Sequence, residues 1–311
     1  MGIALGLAGA IFWGFADFSA RFASRRIGAY RTLFFMQIFG FLLITPYLKF
    51  TRAFHGAAPG WQPWLLAIGA GVINAAASLA LYRSFEVGVM TNVAPVSSCY
   101  PALTAALAFW SGERIGPVRC AGLVVTFAGV LLAAMTFHAQ NDSAEISPSP
   151  DAHSPASSSA AGSQQIPGAP RPRLATGVGW AVLAALGFGF MFWFLGFYVI
   201  PQVGAGMSVW FMRITAVVAL LLVAAPARQS LRLPGGNVWW LLLVVGAADT
   251  AAFVANNTGL RIGPVSIVSV LASLYGAVTV VLSWIFLRER LARSQWVGIL
   301  FIFAGIVLVS L

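Results

Sequence analysis

HAQNDSAEISPSPDAHSPASSSAAGSQQIPGAPRPRLAT, residues 138–176, interrupts a chain that is otherwise almost continuously apolar. Rich in Ser, Pro and Ala and nearly free of large apolar side chains, it cannot bury enough surface to offset the entropy of ordering. It is therefore predicted to be a flexible linker. Its flanks set the fold. Of the 311 residues 59% are hydrophobic and 8% are charged, against about 25% charged in a soluble domain, which makes this an integral membrane protein. A spanning helix needs about 20 apolar residues to cross about 30 Å of hydrocarbon. Five segments before the linker qualify (3–22, 31–50, 63–83, 88–110, 117–136) and five after it (177–199, 207–225, 238–260, 264–287, 294–311). The first is long, lacks a charged amino-terminal region and is followed by Arg21, Arg25 and Arg26, so it reads as a mature helix rather than a signal peptide.

The two flanks repeat one another. Gly14, Trp64, Gly71, Gly88, Tyr100 and Thr104 recur 175 residues later as Gly189, Trp239, Gly246, Gly263, Tyr275 and Thr279. With one residue inserted, Phe35-Met36, Glu113-Arg114 and Gly122 recur 176 residues later as Phe211-Met212, Glu289-Arg290 and Gly298. Aliphatic matches between apolar helices are cheap; Trp, Tyr, Gly and Glu-Arg pairs at a nearly constant spacing are not. Because five is odd, the second half enters the bilayer from the opposite face. The fold expected is all-α integral membrane, with ten transmembrane helices as two inverted five-helix repeats over 1–137 and 177–311. Such halves rock around a midplane site, so transport by alternating access is the leading reading.

Polar groups inside these segments need a reason. Asp249 sits near the middle of the eighth segment, at the position equivalent to Asn74 in the third. A charge at that depth costs about 2.5–3.5 kcal/mol on insertion scales, so it is expected to face a cavity or a partner. Asn256 lies two turns on along the same helical face, with Asn257 beside it. Arg213, equivalent to Gln37, is the nearest counter-charge. For Asp249 a tie between helices competes with a substrate or proton site, and asparagines serve as interhelical hydrogen bonders as readily as ligand contacts. Asp17 falls nearer a helix end, four residues before Arg21, which predicts a local ion pair at the interface. Trp13, Tyr82, Tyr100, Phe188, Trp193 and Tyr275 are candidates for an aromatic cavity, with interface belts and packing as the alternative. Pro95 and Pro101 should kink the fourth segment, and Gly276 should loosen the ninth.

Other chemistry finds little support. Cys99 and Cys120 lie in apolar segments with no disulfide framework or metal-ligand spacing. His55, His138 and His153 fall in loops or the linker, and there is no HExxH, nucleophile elbow or GxxxxGK[ST] loop. No catalytic residues, metal or cofactor are expected, and neither an enzyme nor an ATP-driven pump. The net charge of +10 fits attraction to a membrane surface; no basic recognition helix points to nucleic acid.

Several motifs then carry a likeness: Trp13-Gly14 followed by Arg21, Ala94-Pro95-Val96, Arg213, and the Glu113-Arg114-Ile115 and Glu289-Arg290-Leu291 turns, each followed by a helix holding Ala128-Gly129-Val130 or Ala304-Gly305-Ile306. Outside the linker the chain resembles the drug/metabolite transporter superfamily, in its ten-helix EamA-type branch. The resemblance implies exporters or exchangers of small metabolites or drugs in a multi-pass plasma or inner membrane, with the fifth and tenth helices peripheral. Small multidrug relatives carry an essential acid in helix one where this chain has Gly14; Asp17, one turn later, is the available substitute. The sugar-phosphate branches resemble basic-lined pockets, whereas only Arg213 is deeply placed here, which disfavours an anionic phosphate cargo.

The expected function is a secondary active transporter exporting small neutral or zwitterionic, amino-acid-like metabolites. An organic-cation efflux carrier and a channel or structural subunit without proton coupling are the alternatives. Asp249 is the candidate for proton coupling or a substrate amine, Arg213 for a carboxylate or for holding Asp249, and Asn74, Asn256 and Asn257 for hydrogen bonding. Protons and a second copy of the chain are open as partners. Orientation is contested: cytoplasmic termini, as the resemblance implies, would leave only Lys49, Arg52, Arg114, Arg119 and Arg261 inside against twelve basic residues outside, and the positive-inside rule favours the reverse.

Overall fold

Gly28 takes φ +87° and joins α1 (Gly2–Ile27) to α2 (Ala29–Phe50) with no intervening loop. Gly204 takes φ +82° and joins α8 (Ile200–Val203) to α9 (Ala205–Ala224) in the same way. A side chain with a Cβ resists that backbone region, so glycine is what lets two long helices fold back so abruptly. The computed structural model describes residues 1–53, 60–135, 176–287 and 293–310. The linker expected at 138–176, apart from Thr176, lies outside the described residues, as do His55 and the Glu289-Arg290 pair.

Among the described residues the chain is helical throughout, with no strand. α3 (Gln62–Val87), α4 (Met90–Ser97), α5 (Pro101–Trp110) and α6 (Pro117–Met135) complete the first part. α7 (Val178–Phe194) runs through a π-helical turn, Leu195–Val199, into α8. α10 (Val238–Ile262), α11 (Val265–Ala272), α12 (Tyr275–Leu287) and α13 (Arg293–Ser310) follow α9. Among the described residues eight helical stretches are long and apolar enough to cross a membrane: α1, α2, α3, Val93–Trp110, Val178–Val203, α9, α10 and Val265–Leu287. Two shorter apolar helical stretches, Pro117–Gly129 and Trp296–Gly305, lie in α6 and α13. Large apolar side chains such as Leu222, Trp240 and Phe286 are exposed on the outside, as expected of a surface whose solvent is lipid.

The fourth and ninth segments each break in mid-course. α4 gives way to α5 at Pro101, whose ring excludes a continuous helix and fits the first turn of the next one. α11 gives way to α12 at Ser273 and Leu274, and Gly276 is held there against Ser98 of the first break. The contacts around these breaks recur in pairs. Gly14 lies against Val278 and the Tyr275 carbonyl, while Gly189 lies against Leu103 and the Tyr100 carbonyl. The Thr279 hydroxyl donates to the Gly14 carbonyl (3.3 Å), and that of Thr104 to the Gly189 carbonyl (2.9 Å). Gly71 of α3 meets Thr215 of α9, and Gly246 of α10 meets Phe39 of α2. α6 and α13 pack mainly on each other.

Candidate functional site

The two helix breaks bring Tyr100 and Tyr275 together, their rings stacked 15° from parallel with centroids 6.4 Å apart. The Tyr100 hydroxyl donates to the Ser269 carbonyl (3.0 Å) and the Tyr275 hydroxyl to Ser97 Oγ (2.9 Å), so each tyrosine is fixed by the opposite broken segment. Beside them lies a narrow cavity of about 30 Å³, enough for water in this conformation. Trp13, Tyr82 and Phe188 line it as the sequence suggested, together with Phe192, Phe253 and the apolar Leu81. Trp193 does not; its indole N–H donates to Ser111 near the surface (2.8 Å).

Two carboxylates face this space, and their circumstances differ. Asp249 is ion-paired: Oδ1 accepts from the Trp13 indole N–H at 3.0 Å, and Oδ2 is 2.6 Å from Arg213 Nη2. Arg213, 1% exposed, also donates to Gln37 Oε1 at 2.7 Å and lies 5.2 Å above the Phe253 ring. The nearest counter-charge expected from sequence is thus the actual one. Asp17, by contrast, lines the cavity without an ion pair among the described residues, and the i+4 pair with Arg21 is not made. It is 5% exposed rather than interfacial, because α1 continues to Ile27 and carries the position deep into the bundle. Asp17 and Asp249 line the same cavity.

The remaining expected site residues lie elsewhere. Arg213 does not reach the cavity surface, being spent on Asp249 and Gln37. Asn74, Asn256 and Asn257 are almost wholly buried but do not line the cavity. Asn257 donates to Ser208 Oγ at 3.0 Å, while both amide atoms of Asn74 and of Asn256 lack a partner among the described residues. Ser78, Phe192 and Phe253 complete the cavity without having been singled out, since nothing in an apolar run marks one Phe over another. Among the described residues no cluster of His, Cys, Asp and Glu is suited to a metal ion.

An apolar-surfaced bundle of spanning helices around a small, aromatic, carboxylate-bearing cavity defines a multi-pass membrane protein. The EamA-like transporter family matches residues 1–135 and 175–311, and the chain belongs to that family. It is a transporter-family protein of the drug/metabolite type, with a small-molecule substrate and the bilayer as its surroundings. No curated protein matches the chain significantly. A solved crystal structure, described only as that of a protein, is similar with a TM-score of 0.69 over 99% of this chain and 95% of its own. Its sequence identity is 16%, so the likeness bears on the fold alone.

Proposed function

We propose that the protein is a secondary active transporter that exports small amine-bearing metabolites by alternating access of two inverted five-helix repeats. The observation that carries the substrate class is Asp17: a buried carboxylate without an ion pair, in a cavity walled by aromatic rings. With the cavity widened by a conformational change, a protonated amine would set its charge against Asp17 and its apolar body against rings whose faces attract cations. The expectation of neutral or zwitterionic cargo narrows accordingly, because Arg213, the cation paired with Asp249 beside the cavity, is engaged by Asp249 and Gln37. An amino-acid-like zwitterion would need that ion pair to open and release Arg213 to its carboxylate. Asp249 then acts as the group that holds Arg213 and Trp13 in place, and Asp17 as the group that exchanges a proton for the substrate amine.

The paired contacts support the inverted repeat: Gly14–Val278 with Gly189–Leu103, Gly71–Thr215 with Gly246–Phe39, and the stacked Tyr100 and Tyr275. α6 and α13 complete ten spanning helices in this reading. The test is counterflow and gradient-driven uptake in proteoliposomes, with labelled amines, amino acids and sugars, on wild type, Asp17→Asn and Asp249→Asn. Amine accumulation under a pH gradient that vanishes in Asp17→Asn is expected. Equal transport of amines in wild type and Asp17→Asn would remove the substrate assignment, and absence of saturable counterflow for every class would remove the carrier itself.

A further inference from the structure

α11 begins after Pro264, which offers its first amides no side-chain cap. The cap is supplied by the other half of the chain. Glu113, in the turn between α5 and α6, accepts from the Val265 N–H at 2.8 Å with Oε2 and from the Ser266 N–H at 3.1 Å with Oε1, and it also accepts from the Ser266 hydroxyl. A carboxylate at a helix start satisfies orphan amides and meets the positive end of the helix dipole. This tie lies at the end of the molecule where α1 starts and α10 finishes, with Gly2 against Gly263 and Gly6 against Val268. The cavity extends the other way, toward the last turns of α3, through Ser78 and Tyr82.

Among the buried polar atoms with no partner among the described residues are Ser269 Oγ, one turn into α11, both amide atoms of Asn256 and Oδ1 of Asn257, in residues that are 0% exposed. Buried polar groups almost always have partners, so such atoms call for an explanation. These three residues belong to α10 and α11, the helices whose junction Glu113 pins, and Asn256 packs beside Gly9 of α1. Water reaching these atoms in a second conformation would supply the missing partners.

We infer that Glu113 is a latch. Its contact with α11 holds the pathway shut on the side where α1 begins, and its release opens a water path lined by Ser269, Asn256 and Asn257. The inference rests on the alternating-access reading and gives that reading its switch: the conformation described here is the one closed on the Glu113 side. Glu113 acts by positioning α11 and makes no contact with the cavity.

The experiment is thiol labelling by a membrane-impermeant maleimide, added to either face of sealed vesicles, in a Cys99→Ser, Cys120→Ser background. Ser269→Cys reports the sealed path and Ser78→Cys the cavity, each with Glu113 intact or Glu113→Gln. Glu113→Gln is expected to speed labelling at position 269 at least tenfold and to slow it at position 78. Faster labelling at 269 with no change at 78 leaves the latch standing and overturns alternating access. An unchanged rate at 269 in a monodisperse Glu113→Gln protein overturns the latch, whatever the protein carries. Should Glu113→Gln not fold, Glu113→Asp shortens the reach by one methylene and is expected to move position 269 in the same direction; equal rates there overturn the latch as well.

Discussion

Arg213 Nη2 and Asp249 Oδ2 stand 2.6 Å apart with side chains 1% and 10% exposed, so each supplies the other's charge compensation in a medium of low dielectric. Gln37 and Trp13 take up one further hydrogen-bonding position on each partner. Removing one member leaves an uncompensated buried charge. Arg213→Ala and Asp249→Ala are each expected to cost about 3–5 kcal/mol, while Arg213→Met with Asp249→Leu costs less than the two singles together. Reversible unfolding in detergent micelles measures all three; additive losses would show that the pair is not coupled.

Asp17 is expected to behave in the opposite way. With no ion pair among the described residues, its buried carboxyl contributes no paired charge to the core, so Asp17→Asn should leave unfolding within about 0.5 kcal/mol of wild type or raise it. Binding of an aromatic amine should weaken tenfold or more in the same variant. Titration calorimetry beside the unfolding measurement separates the two carboxylates; a large stability loss in Asp17→Asn would place it in a structural role.

Trp13→Phe keeps a ring against Phe192 and Phe253 but removes the indole N–H donated to Asp249. Hydrogen bonds to charged groups are worth about 1.5–3 kcal/mol. A loss of that order is expected from Trp13→Phe, and little further loss when it is combined with Asp249→Asn. A double-mutant cycle reads the coupling directly.

The paired glycines make a matched set. A Cβ at Gly14 would lie 2.4 Å from a Val278 methyl, and one at Gly189 2.7 Å from the Tyr100 carbonyl. Gly14→Ala and Gly189→Ala are expected to cost similar amounts, about 1–3 kcal/mol each. Gly179, with nothing within 4 Å, is the control: Gly179→Ala gains about 0.5–1 kcal/mol through helix propensity. Thermal shifts of opposite sign for the buried and open positions check the assignment.

Much of this architecture was legible because hydrophobic runs and proline chemistry are local. The spans came from run length, the break before α5 from Pro101, and the Arg213–Asp249 partnership from the scarcity of charge in apolar segments. Asp17 was placed too near the surface because Arg21, Arg25 and Arg26 read as the end of a helix, whereas α1 carries them within its last turns to Ile27. Asn256 was assigned to the cavity because helical spacing puts it on the face of Asp249. Spacing fixes direction around one helix and says nothing of depth along it, and two turns separate Asp249 from Asn256. The matched turns at Gly28 and Gly204 escaped notice, since a lone glycine among 32 carries no mark of a positive φ. Glu113 capping α11 spans 152 residues of sequence and has no local signature.

At the spacing of the proposed repeat, Gln37 and Asn74 align with Arg213 and Asp249. A machine built from two interchangeable halves would look the same from either side of the bilayer and rest as readily facing one compartment as the other. Here one half holds neutral amides where its counterpart holds ions, so exchanging their shapes does not exchange their energies. In the inverted-repeat reading, a preference for one face is therefore built into the protein before any gradient or cargo is applied.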